Sequence, residues 1–239
     1  LPLALNTSLR MIEATSADED IAVDVVGSTV DGEKHWDFTG PYEGDANITV
    51  QAHELSDDLW FNERVQDLEL DASAGQIYAS LLSADTWGVF QRTADKLLIH
   101  VVAAVDEDVG NFIAYDPPIQ ALAYPLSVGT TWSSESTGDG DFEVSGFLSP
   151  YCSTDTYTSA VTDRGVVTTP AGDYDVLRVE TTQNVVVENC FNPFLTAAVT
   201  YKQVIFVTAC TGAVVTVTSD EGAEDFSFEV ASRLRRVGL

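Results

Sequence analysis

Val166-Val167-Thr168-Thr169-Pro170-Ala171-Gly172-Asp173-Tyr174-Asp175-Val176-Leu177-Arg178-Val179 is the stretch that decides the fold. Two segments rich in β-branched residues meet at a Pro-Ala-Gly-Asp corner, which reads as a tight hairpin. In an antiparallel hairpin, positions pair outward from the corner at a constant register. Corners at Pro170 and Asp173 bring Cys152 within one residue of facing Cys190, and one β-bulge absorbs that mismatch. The next hairpin bends around Cys190-Phe191-Asn192-Pro193-Phe194 and carries Cys210 close to Tyr174, at the far end of the sheet. The register therefore predicts a Cys152–Cys190 disulfide and an unpaired Cys210. Such a bond contributes roughly 2–4 kcal/mol and implies an oxidising compartment.

The same period of two runs outward from this hairpin. Strands are predicted over 156–169, 174–188, 196–208, 213–219 and 225–237 on the C-terminal side. Upstream they are predicted over 47–55, 59–65, 76–83, 86–92 and 96–105. Residues 133–141 read as a polar, Gly-rich loop. Many short strands without helical patterns between them predict an all-β fold, a large curved antiparallel sheet with little helix, either half-barrel or sandwich. Residues 1–20 are weakly patterned and read as a weakly ordered N-terminal arm before a single β domain over 21–239. Tyr115-Asp116-Pro117-Pro118 interrupts the alternation, because proline supplies no ladder donor. It marks a subdomain boundary near 115–125.

Composition narrows the function classes. With 45% hydrophobic residues among 239, the chain can bury a sizeable core. Eleven Lys and Arg face 38 Asp and Glu, giving a formal charge of −27. Nucleic acid and anionic membranes both reward basic residues, so neither is a partner. The excess fits a saline or divalent-rich environment, where a short Debye length screens self-repulsion. No run of 18 apolar residues predicts a transmembrane span. Leu1-Pro2-Leu3-Ala4-Leu5 is too short for a signal core and lacks a basic flank. A targeting segment is therefore expected to be absent from this chain. Asn6-Thr7-Ser8 and Asn47-Ile48-Thr49 match the glycosylation sequon, a pattern short enough to arise by chance.

Chemistry is sparse. No G-x-S-x-G, H-E-x-x-H, P-loop, G-x-G-x-x-G or C-x-x-C motif is present. His100 sits in an apolar strand, and His53 and His35 have no partner motif. The chain is therefore read as a non-enzyme without catalytic residues. Asp139, Asp141 and Glu143 alternate beside glycines and are the candidate Ca²⁺ ligands, being hard oxygen donors on one side. Trp36, Trp60, Trp87 and Trp132 are candidate ligand-binding aromatics for the concave face of a curved sheet, or else core residues. Arg233, Arg235 and Arg236 concentrate near the C-terminus, the first two on one strand face. They read as partners of the acidic surface or as protection of a sheet edge.

Tyr124-Pro125-Leu126-x-Val128-Gly129-x-x-Trp132, Val167-Thr168-Thr169-Pro170-Ala171-Gly172-x-Tyr174 and Thr211-Gly212-Ala213-Val214-Val215 carry a resemblance. So do Trp36-Asp37-Phe38-Thr39-Gly40 and Tyr115-Asp116-Pro117-Pro118. The chain resembles a group of uncharacterised bacterial secreted or lipid-anchored β proteins over roughly residues 30–237. Their sheet is similar to the half-barrel of periplasmic lipoprotein carriers (LolA-like). The chain departs from that pattern at Val207-Thr208-Ala209-Cys210, where an aromatic often precedes the glycine hairpin. The resemblance implies a cell-envelope protein, secreted, periplasmic or outer-membrane-associated, with a groove for a lipid or a lipoprotein acyl chain. The alternative is a structural or adhesive envelope module with acidic, Ca²⁺-binding loops.

Overall fold

The computed structural model describes residues 5, 8–16, 20–56, 58–144, 146–209 and 211–239, with the backbone alone for 144 and 192–195. Fifteen strands form one sheet. They are β1 (Ser8–Thr15), β2 (Ile21–Ala22), β3 (Ser28–Val30), β4 (Glu33–Asp37), β5 (Ala46–Gln51), β6 (Gln76–Ser83), β7 (Thr86–Arg92) and β8 (Lys96–Ala104). Then follow β9 (Phe112–Ala123), β10 (Thr131–Val144), β11 (Phe147–Thr169), β12 (Gly172–Asn189), β13 (Asn192–Thr208), β14 (Gly212–Ser219) and β15 (Val230–Val237). Among the described residues a single short helix, α1 (Asn62–Gln66), lies between β5 and β6.

From β6 to β15 the chain is an uninterrupted antiparallel meander. β1 then pairs with β15, and β5 with β1. Past the end of β5, His53 exchanges backbone hydrogen bonds with Ala79 of β6 at 2.8 and 2.9 Å. The sheet is thereby nearly closed and barrel-shaped. Closure shelters edges that an open sheet would expose.

Alternation along the strands separates an interior from two outer packing layers. On β13, Gln203, Ile205 and Val207 line an internal cavity, whereas Val204 and Phe206 pack outward in a second cluster. That outer layer is the segment carrying β2 to β4, whose Trp36 and Phe38 rings meet Phe206 at 4.9 and 5.5 Å. β4 also runs parallel to β11 through Val167. A third cluster forms where Phe61 and Val65 of the α1 segment cover Ala79, Val89, Val101 and Phe112.

Several local expectations change. Residues 59–65, expected as a strand, overlap α1 instead, because Phe61 and Val65 are spaced to bury one helical face. Within the expected N-terminal arm, residues 8–15 form β1, hydrogen-bonded between β5 and β15 with Met11 and Ala14 buried. The boundary near 115–125 is not a division: β9 runs through it. There β8 pairing passes from Ile119 directly to Ala114, so Pro117 and Pro118 occupy an irregularity that needs no donors. The Gly-rich loop expected at 133–141 is part of β10. Its glycines are strand residues because a Cβ at Gly140 would fall on the Phe112 carbonyl oxygen, and one at Gly138 on the Ser153 hydroxyl.

The hairpin at 170 forms, with Thr169 and Gly172 as the closing pair. Its register shifts once between Val161 and Asp163. Cys152 pairs with Glu188 at the end of the ladder, and the next irregularity falls at Glu188/Asn189. There Cys190 joins Cys152 in the predicted disulfide, with Cα atoms 5.4 Å apart. Cys210 lies outside the described residues.

Candidate functional site: a cavity inside the barrel

The interior between β5–β1–β15–β14–β13 and β6–β9 holds a cavity of about 220 Å³. Its wall is mostly apolar, with Met11, Tyr78, Phe90, Leu97, Leu122 and Ile205 facing it. Tyr78 and Phe90 stack with ring centroids 5.5 Å apart. Burial pushes the Tyr78 hydroxyl far above its ordinary range, so it stays neutral. The seam between β5 and β6 runs along this wall, since Val50 and Ser80 on its two sides both line the cavity.

Charge enters the interior from β1 and β15. Glu13 faces Arg235 across the ladder. Its side chain is only 3% exposed. Glu13 Oε1 accepts the Ala84 amide at 3.1 Å and lies 3.9 Å from Arg233 Nε. Arg233 Nη2 is 3.7 Å from Asp85. Arg235 lines the cavity itself, and its Nη1 donates to the carbonyls of Leu81 at 3.0 Å and Leu82 at 2.6 Å. Its Nε is buried without a hydrogen-bond partner among the described residues. Burial lowers the Arg235 pKa; Glu13 opposes that shift and Arg233 adds to it.

Arg236 projects from the opposite face of β15. It is 1% exposed, donates to both carboxylate oxygens of Asp45 at 2.9 and 2.6 Å, and covers the Tyr42 ring. Burial pushes the Asp45 carboxyl up, but the Arg236 hydrogen bond, the Tyr42 amide and the Arg236 charge outweigh it and hold the pKa low. The three arginines thus do not guard an edge. β15 lies between β1 and β14, and two of the cations, Arg235 and Arg236, are drawn inward.

The candidate tryptophans are dispersed over three clusters and none lines the cavity. Trp36 donates its indole N–H to Val25 O at 3.2 Å, Trp60 to Ala104 O at 2.9 Å and Trp132 to Gln120 O at 3.1 Å. Trp87 meets the His53 ring edge-on, 5.5 Å away, beside the seam. Asp139, Asp141 and Glu143 share one side of β10 but do not converge. Alternate strand residues lie about 7 Å apart, whereas Ca²⁺ ligands must all reach within about 2.6 Å of the ion. Asp139 is exposed, Asp141 pairs with Arg64 at 3.0 Å, and Glu143 accepts the Gly146 amide. Among the described residues no group of three or more His, Cys, Asp or Glu is arranged to hold a metal ion.

The residues that sequence reasoning missed are Tyr78, Phe90 and Arg235. Tyr78 and Phe90 look like any core aromatic until the partner strands are placed. Arg235 carried a weak signal, a basic residue inside an otherwise apolar alternation. The arrangement defines a barrel-shaped all-β protein with an apolar internal cavity and a cation in its wall. The chain matches no protein-family model, no curated protein and no solved structure. No helix among the described residues is long and apolar enough to cross a membrane.

Proposed function

We propose that the protein is an extracytoplasmic, non-enzymatic binder of an apolar or amphipathic ligand, a lipid or lipoprotein acyl chain, held within the barrel. The observation that carries this reading is the apolar cavity of about 220 Å³. A dry apolar cavity of roughly 150 Å³ is large enough to take up benzene, so this one has room for a short chain. The β5–β6 seam supports a way in, since its only pairing among the described residues is the His53–Ala79 bridge. The Cys152–Cys190 disulfide supports an oxidising compartment, in keeping with the resemblance to secreted and lipid-anchored proteins.

Native mass spectrometry of the protein purified without detergent tests the proposal. A co-purified lipid or acyl chain is expected, and the ligand-bound protein should melt higher by mass action, about 2.7 kcal/mol more stable at a hundredfold excess over Kd. Protein that carries nothing, and whose melting temperature is unmoved by any acyl probe, overturns it. The adhesive alternative draws on the far end of the long hairpins. There Phe147 and Phe191 stand 75% and 85% exposed, Phe191 next to the disulfide cysteine Cys190.

A further inference from the structure

The cavity wall holds a cation, Arg235, with no carboxylate in ion-pair contact among the described residues. Arg233 stands between two carboxylates, Glu13 at 3.9 Å and Asp85 at 3.7 Å. Arg235 has no carboxylate among the described residues within 4.0 Å of its nitrogens. Glu13, which faces it across the ladder, gives Oε1 to Ala84 N–H and Arg233, and its Oε2 is buried without a hydrogen-bond partner among the described residues. Asp85 offers little compensation inside, because its side chain is 72% exposed and screened by water. Arg235 alone of these cations lines the cavity, with no ion-pair contact of its own among the described residues. A charge without a direct counter-ion in apolar surroundings is costly, and the cost is relieved by an anion that replaces the lost hydration.

The donors of Arg235 fit this. A guanidinium has five N–H groups. The two on Nη1 are used by the Leu81 and Leu82 carbonyls, which also fix the plane of the group. Nη2 has no hydrogen-bond partner among the described residues, and Nε is buried without one. Carboxylates are the anions whose planar geometry matches the guanidinium fork. Around this cation the wall is aliphatic and aromatic.

We infer that the ligand is a carboxylate amphiphile, its head docked on the Arg235 guanidinium and its chain in the apolar part of the cavity. The inference rests on the reading of the cavity as the binding site and adds the chemical class of the ligand. Scaling from benzene in a cavity of roughly 150 Å³, the enclosed portion of the ligand has about nine heavy atoms. A longer chain would extend through the seam.

Octanoate and 1-octanol share a chain and differ in the charge of the head. Isothermal titration of both into the wild-type protein, at one fixed ionic strength, is expected to show octanoate binding at least tenfold tighter. Arg235→Gln should remove that preference while leaving octanol within about twofold, and Arg235→Lys should keep part of it. Equal affinity for the two probes in the wild-type protein overturns the inference and leaves the apolar cavity reading intact. A preference that survives in Arg235→Gln also overturns it. If neither probe binds, the cavity reading falls and this inference with it. The wild-type comparison needs no variant, so a poorly folding Arg235→Gln does not decide the matter.

Discussion

Asp155 is the clearest case of a single residue set against its surroundings. It sits on the inner face of β11, 2% exposed, with Oδ1 unpartnered. Burial pushes its carboxyl pKa up. A raised folded pKa means that the group favours folding below its unfolded pKa and loses that contribution as pH rises through the folded value. At neutral pH Asp155 is therefore a net cost to folding. Asp155→Asn should stabilise the protein by about 1 kcal/mol at pH 7. In denaturant titrations that advantage should shrink as pH falls towards 4. A destabilised variant at pH 7 would mean that the carboxylate has a compensating partner. Asp45 behaves oppositely. Its lowered pKa stabilises the fold above the unfolded value, and the contribution is lost as acid protonates it against Arg236. Neither residue was legible in the sequence, since Asp155 is one acid among 38. Its burial depends on Tyr115, Ser136 and Val185, which strand pairing brings to the neighbouring strands.

At the scale of elements, the long β11–β12–β13 hairpins are what the sequence states best. The corner at 170, the strand direction and the cysteine pair all follow from local turn chemistry and a period of two. The register itself was displaced: the pairing closes at Thr169 and Gly172, one position from the expected corners. The disulfide forms despite this because the ladder ends at Cys152 and the chain turns at Asn189. The bond closes a separation of 38 residues. Replacing both cysteines with serine should cost roughly 2–4 kcal/mol. Hydrogen exchange should rise first in residues 150–154 and 186–191, with the barrel interior unaffected. A uniform rise across the meander would instead show that the staple holds the whole sheet. β10 and α1 were misread for related reasons. Gly138 and Gly140 look like loop residues until the close approach of β9 and β11 is known. The four-residue spacing of Phe61 and Val65 is too short a pattern to separate from alternation.

For the molecule as a whole, two long-range features dominate. Closure depends on β1 meeting β15, which is far away in sequence, and on the segment after β5 meeting the next strand, β6. The acidic excess covers the outside, while Arg235 and Arg236 point into the protein and leave the surface still poorer in cations. A charge of −27 opposes compaction through self-repulsion. Raising NaCl from 0.1 to 1 M shortens the Debye length from about 10 to about 3 Å. The melting temperature should therefore rise by about 5 °C or more in a thermal scan. A flat or falling response would show that the acids are already compensated by their own hydrogen-bond networks. The same screening should leave the Arg236–Asp45 pair intact, because it is buried.

By itself the sequence determined the all-β class, the meander of the C-terminal half, the cysteine pair and the acidic exterior. These rest on neighbours within a hairpin or on composition, both readable along the chain. The tertiary structure decided that the sheet closes, that β1 belongs to it, and that Arg235 stands in the wall of an apolar cavity. The place of β1 and of Arg235 depends on strand pairings between residues more than 200 positions apart, such as Glu13 with Arg235, and closure depends also on the His53–Ala79 bridge. Alternation marks which side chains share a face. Which face becomes the inside is fixed only when the two ends of the sheet meet.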